Sequence, residues 1–206
     1  MPAKRESDLI DKSAAAIDAV DAAVVNLMIQ EQFHVPTARE ISKRSGYSVG
    51  TIFNYFKNMD GVFVYVFLKK QKQILSKLVD VIESHPVDQA GEILINALVE
   101  GIFKETENRN PALVLFFVRR FFKTANNPER FNAAIDVLIA PLIEARMRDT
   151  TGTFPVMDAE ELRLLLRGMQ AVIRAPLFEQ SPFFGTQEHR LLTVEICRRL
   201  FLSRVS

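Results

Sequence analysis

The groups in this 206-residue chain that could do covalent, metal or proton-transfer chemistry are three histidines, one cysteine and 25 carboxylates. Their spacing organises none of it: His34, His85 and His189 lie far apart, with no His-Glu-x-x-His, no phosphate-cradling Gly-rich loop and no Gly-x-Ser-x-Gly elbow. Cys197, alone, excludes an internal disulfide and a Cys-rich zinc site, and beside Ile196 on an apolar stripe it reads as a small buried hydrophobe. A different chemistry is concentrated between Thr37 and Lys57. Arg39, Lys43, Arg44 and Lys57 supply cations for phosphates, and Thr37, Ser48, Thr51 and Asn54 supply short hydrogen-bonding side chains. Gly50, with no side chain, lets a backbone approach a phosphate closely, and Val49 or Phe53 could pack on a thymine methyl. The pattern suits nucleic acid. A helical enzyme with a site built from distant residues, or a helical module for a protein partner, are the alternatives, and a positive potential on this face separates nucleic acid from the protein partner.

Two short helices must position those groups. Thr37-Ala38-Arg39-Glu40 has the form of a capping box, so a helix starts there and continues through Ile41 until Gly46 stops it. Ser48 is a good N-cap for a second helix over Val49 to Phe56. Side-chain spacing places Val49, Thr51, Phe53 and Asn54 outward and Ile52, Tyr55 and Phe56 inward. Helix, tight turn and helix within residues 37–56 is the size of a helix-turn-helix, whose second helix enters the DNA major groove. One long amphipathic helix precedes it, from about Ser7 to Phe33, with Ile10, Ile17, Val20, Val24, Leu27 and Met28 at three- and four-residue steps. Asn58-Met59-Asp60 closes the motif and caps the next helix.

The string from Pro36 to Phe63, PTAREISKRSGYSVGTIFNYFKNMDGVF, resembles the DNA-binding segment of the TetR family of one-component transcriptional regulators. The matching residues are Thr37, Arg39, Glu40, Ile41, Gly46, Ser48, Gly50, Thr51, Ile52, Tyr55 and Phe56. The chain departs from the family pattern at Gln32, Phe53 and Asn58-Met59, where a Gly, a Tyr and a Lys are usual. The resemblance implies DNA contacts from Arg39, Ser48, Val49, Thr51, Phe53 and Asn54. It implies an all-α fold: a DNA-binding domain over residues 1–60, then a helical ligand-binding and dimerisation bundle over 61–206. It further implies a homodimer that binds a near-palindromic double-stranded operator, most simply as a repressor released by an apolar or amphipathic small molecule, and the single cysteine fits a reducing, cytoplasmic setting. No enzymatic activity, cofactor, metal or membrane enters that expectation.

Beyond the motif the chain reads as helices at about 61–84, 87–107, 110–125, 128–149, 158–179 and 186–204, nine in all, with Pro141 kinking or splitting the 128–149 segment. The helices around 87–149 are where the family places its ligand. Gly101 leaves room beside Ile102, and Phe116, Phe117 and Phe121 could wall an apolar pocket with Arg120 at its edge. Leu162, Leu165, Leu166 and Met169, then Leu192, Ile196 and Leu200, form two apolar stripes able to pack within the subunit and against a partner. The longest apolar run, Ala112 to Val118, is far short of the roughly 18–20 residues of a membrane span. The charged start MPAKRESDLIDK does not read as a signal peptide. With 26 Lys+Arg against 25 Asp+Glu the net charge is only +1, which excludes a uniformly basic nucleic-acid coat. The balance is uneven, since residues 37–80 carry eight basic and three acidic side chains.

Overall fold

The computed structural model describes residues 2–30, 34–106, 110–125 and 134–202. Among them are nine α-helices and no strand, as expected of an all-α chain. They are α1 (Pro2–Gln30), α2 (Ala38–Ser45), α3 (Val49–Phe56), α4 (Met59–Glu83), α5 (Gly91–Thr106), α6 (Pro111–Ala125), α7 (Ile139–Arg148), α8 (Ala159–Phe178) and α9 (Gln187–Leu202). A 3-10 turn, Asp136–Leu138, precedes α7. Pro141 therefore falls in the first turn of α7, where its missing N–H costs least, and the expected split lies just before it. The expected end of the first helix at Phe33 and the start of the 128–149 helix lie outside the described residues.

The helices form two compact units that interleave in sequence. The first contains α1, α2, α3, α4 as far as Lys70, and α6. Its core is Val20, Ala23, Val24, Leu27 and Met28 of α1, Ile41 of α2, Ile52 and Phe56 of α3, and Val62, Phe63 and Val66 of α4. Leu113, Phe116 and Phe117 of α6 pack on this core, and Phe63 meets Phe116 edge-on with ring centroids 5.2 Å apart. One apolar face of α6 is thus used by the N-terminal core. Lys69 of α4 ties back to α1, its ammonium 2.8 Å from both Asp18 and Asp21, whose carboxylates hold it well above the usual lysine range.

The second unit contains the rest of α4 with α5, α7, α8 and α9. Leu75, Leu78 and Ile82 meet Leu94, Ile95, Leu98, Val99 and Phe103, then Leu138 to Ala145 and the α8 stripe Leu162, Leu166, Met169 and Ile173. Cys197 and Phe201 of α9 complete this core, and burial pushes the Cys197 thiol up to about 11. The thiol is thus the inert hydrophobe its position suggested. Asp158 caps α8 through a capping box with Glu161. Gly91 opens α5 beneath the Phe154 ring, its N–H donating to Thr153 Oγ1 at 2.7 Å, so the segment before α8 caps α5.

In the first unit, the junction between α3 and α4 has the least tolerance. Lys57 adopts φ 65°, ψ −45°, and the N–H of Asn58 reaches the carbonyl of Phe56 at 2.7 Å, closing a γ-turn of the left-handed kind that non-glycine residues avoid. Asn58 Oδ1 then accepts from the N–H of Gly61 at 2.9 Å and starts α4. A Cβ on Gly61 would lie 2.0 Å from the Phe56 carbonyl oxygen, so only glycine allows this approach. Gly61→Ala is expected to destabilise the chain by about 1–3 kcal/mol, as overpacking against rigid backbone does. Urea unfolding measures this, and an unchanged midpoint would show that the junction has slack.

Candidate nucleic-acid interface

The capping box read from the sequence is present. Thr37, extended at φ −81°, ψ 161°, accepts from the Glu40 N–H at 3.3 Å through its hydroxyl, while its own N–H donates to the Glu40 carboxylate at 2.7 Å. The Thr37 hydroxyl also donates to Glu40 at 2.8 Å, and His34 Nε2 lies 3.1 and 3.2 Å from the two carboxylate oxygens. The Thr37 backbone N–H, then its hydroxyl, then His34 hold the Glu40 carboxyl down at about 2. Gly46 ends α2 in the left-handed region at φ 78°, its N–H donating to the Ser42 carbonyl at 3.0 Å. Ser48 then caps α3, accepting from the Thr51 N–H at 3.0 Å, and the Ser48 and Thr51 hydroxyls sit 2.8 Å apart sharing one hydrogen.

These caps set two helices of eight residues each, and α1 packs against both. Of the expected contact residues, Thr37, Arg39, Lys43, Arg44, Ser48, Gly50, Asn54 and Lys57 are exposed, and Val49, Thr51 and Phe53 are half-buried. A side chain added at Gly50 would meet only the Ser48 hydroxyl, at 3.7 Å, so the backbone there is open to close approach.

Two aromatic positions on α3 differ from the sequence reading. Phe53, expected outward, packs against the core, and Tyr55, expected inward, is 41% exposed. The residues of α3 that meet the core are Ile52, Phe53 and Phe56, spaced one, three and four apart, which carries Tyr55 round toward the face of Asn54. Tyr55 thus adds a phenol to the outer face that sequence reasoning missed. The clue was the two-residue step from Phe53 to Tyr55, more than half a turn at 3.6 residues per turn, so that the two cannot both face the core.

The remaining expected sites are divided between the two units. Phe116, Phe117, Arg120 and Phe121 lie in the first unit, with Phe121 against Phe67 at 5.2 Å, whereas Gly101 and Ile102 lie in the second. The room expected at Gly101 is filled by Leu78, whose Cδ2 would be 3.0 Å from an added Cβ. Leu162, Leu166 and Met169 are buried in their own chain's core and Leu165 packs half-buried against it, while Leu192, Ile196 and Leu200 are exposed. Among the described residues no cluster of His, Cys, Asp and Glu could hold a metal ion, and no helix is long and apolar enough to cross a membrane.

A capped helix pair, a strained turn fixing its second member and an outward face of small polar, aromatic and cationic residues define a helix-turn-helix head, the motif whose second helix enters a DNA major groove. Residues 20–66 match the family described as bacterial regulatory proteins, tetR family. No curated protein matches the chain. Solved structures extend the likeness over nearly its whole length. A TetR transcriptional regulator from Rhodococcus sp. RHA1 is 20% identical, with a TM-score of 0.62 over 95% of this chain and 100% of that one. A TetR family transcription regulator from Marinobacter aquaeolei VT8 is 14% identical, with a TM-score of 0.56 over 94% and 99%. FadR from Bacillus subtilis, solved with stearoyl-CoA, is 15% identical, with a TM-score of 0.52 over 94% and 99%. Residues 20–66 of the head thus match the TetR family, and the chain as a whole has the fold of TetR-family transcription regulators.

Because the folded Glu40 carboxyl titrates at about 2 against an ordinary 4.5, its contribution is complete above about pH 4.5 and is lost as pH falls from there toward 2. Helicity followed by circular dichroism is expected to fall more steeply across that window in the wild type than in Glu40→Gln. Superimposable titrations would remove the capping carboxylate as the cause.

Proposed function

We propose that this chain is a homodimeric transcriptional repressor that reads a near-palindromic operator with α3 and releases it when an amphipathic small molecule occupies the C-terminal unit. The observation that carries the DNA-reading part is the outer face of the head: Gly50, Thr51, Asn54 and Tyr55 along one side of α3, flanked by exposed Arg39, Lys43, Arg44 and Lys57. Thr51, Asn54 and Tyr55 can reach base edges or phosphates, and the four cations supply the salt-dependent, sequence-independent attraction. The Thr37 and Ser48 hydroxyls are pinned by their caps, so they meet a backbone in fixed orientation.

Dimerisation is supported by what the second unit leaves exposed. Leu164 of α8 and Leu191, Leu192, Ile196 and Leu200 of α9 are each 38–66% exposed, an apolar surface that a two-fold partner would cover. Two heads related by that axis would address successive major grooves roughly 34–36 Å apart. Ligand response is supported by Gln71, which is 8% exposed yet has neither amide atom partnered among the described residues. Leaving a buried amide unsatisfied costs about 1–3 kcal/mol, and a ligand that hydrogen-bonds it would offset that cost. Release then occurs if the ligand binds better to the state in which the heads cannot both engage.

Selection of duplexes from a randomised library, followed by fluorescence anisotropy at several salt concentrations, tests the reading. The wild type is expected to enrich an inverted repeat. Arg39→Ala should weaken binding to all sequences and lower the salt slope by about 1, and Ile196→Glu should give monomers with little operator affinity. Failure to enrich any sequence would overturn the DNA-reading function, and an Ile196→Glu dimer of normal affinity would overturn the interface. For the effector, a thermal-shift screen of amphipathic compounds, stearoyl-CoA included, should yield stabilisers whose effect is lost in Gln71→Leu, itself more stable than wild type by about 1–3 kcal/mol without ligand. Equal shifts in both proteins would take Gln71 out of the site.

A further inference from the structure

Arg120 of α6 is engaged by a carboxylate of its own unit. Its guanidinium donates through Nε and Nη2 to the carboxylate of Asp60, in the first turn of α4. The cation also lies over the edge-to-face pair of Phe63 and Phe116 in the same unit, 5.5 Å from one centroid and 5.6 Å from the other. A planar cation held by a carboxylate and resting on two aromatic rings is restrained in tilt, so the pair fixes α6 against the start of α4 in one register.

Asp60 stands between the two constraints that set the recognition helix. Three residues before it Lys57 holds the left-handed γ-turn, and immediately after it Gly61 abuts the carbonyl of Phe56, the last residue of α3. Phe56 is seated in turn against Tyr65, with centroids 5.4 Å apart. A displacement of Asp60 would therefore be passed through rigid backbone contact to the end of α3, and the strained turn at Lys57 is the place where the junction would relax.

We propose that Arg120 is a positioning residue for DNA recognition: by gripping Asp60, it lets α6 hold α3 in its DNA-reading orientation, so that drawing α6 away would unset the recognition helix. The inference rests on the DNA-reading function proposed above.

The test uses the full-length chain and a duplex selected by the wild type. Arg120→Met and Asp60→Asn should each weaken binding about tenfold, and the double variant should be no weaker than either, as expected of a directly coupled pair. The salt slope should stay at the wild-type value, because no phosphate contact is removed. Arg120→Lys, which keeps the charge without the planar fork, should recover part of the loss. In DNA-free protein, hydrogen exchange of the Asn58 and Gly61 amides should be faster in Arg120→Met, with the core amides of α1 unchanged. The proposal is overturned by normal affinity and exchange in Arg120→Met, by additive losses in the double variant, or by a salt slope lower by about 1, which would make Arg120 a phosphate contact. If the wild type selects no duplex, the DNA-reading function fails by itself, and the exchange measurement still decides whether Arg120 sets the junction.

Discussion

The contact on which the head depends is that of the Phe56 carbonyl oxygen with the bare Cα of Gly61. A helix of eight residues has no useful stability in isolation, since nucleation costs more than so few hydrogen bonds return. α3 persists because Ile52 and Phe56 are buried beneath it and because both of its ends are fixed, by Ser48 at the start and by the γ-turn and Gly61 at the finish. Burial alone would leave the helix free to pivot about its apolar stripe. The close approach at Gly61 removes that freedom, and it sets the direction in which Asn54 and Tyr55 point.

Charge is organised on the same head. A total of +1 conceals eight basic against three acidic residues between positions 37 and 80. Not all of those cations are available for DNA: Lys69 is held by Asp18 and Asp21 and joins α4 to α1. The four around the two short helices are exposed, so the positive field there is local. The three acidic residues in that stretch include Glu40 and Asp60, and neither opposes DNA from an idle position. Glu40 caps α2, and Asp60 is neutralised by Arg120.

The second unit divides its leucines between two uses. Those repeating along one stripe of α8 fill its core, while Leu164 and the offset stripe of α9, Leu192, Ile196 and Leu200, stay in solvent. A chain that gained only from its own folding would have little reason to keep so much apolar surface outside. The buried, unpartnered amide of Gln71 is a similar departure, a polar group retained where an apolar one of the same shape would be more stable. Departures of this kind, local losses without a local return, are where a function beyond folding is to be sought.

Hydrogen bonds that run from a residue to one three or four positions away are decided by the sequence itself. The Thr37–Glu40 capping box, the Gly46 stop, the Ser48 cap and the Asp158 start of α8 were therefore legible, as were the helical class and the motif that carries the family likeness. Contacts between residues far apart in the chain were not. Phe53 and Tyr55 are both aromatic and only two positions apart, and which of them faces inward depends on where α1 and α4 lie against α3. Arg120 looked like the polar rim of an apolar helix because nothing local shows that Asp60, sixty residues earlier, meets it. Likewise α6 is apolar enough to enter either core, and only the rings of Phe63 and Phe67 place it in the first. Periodicity shows that a helix has an apolar face; which surface that face meets is settled only when elements distant in the chain compete to bury it.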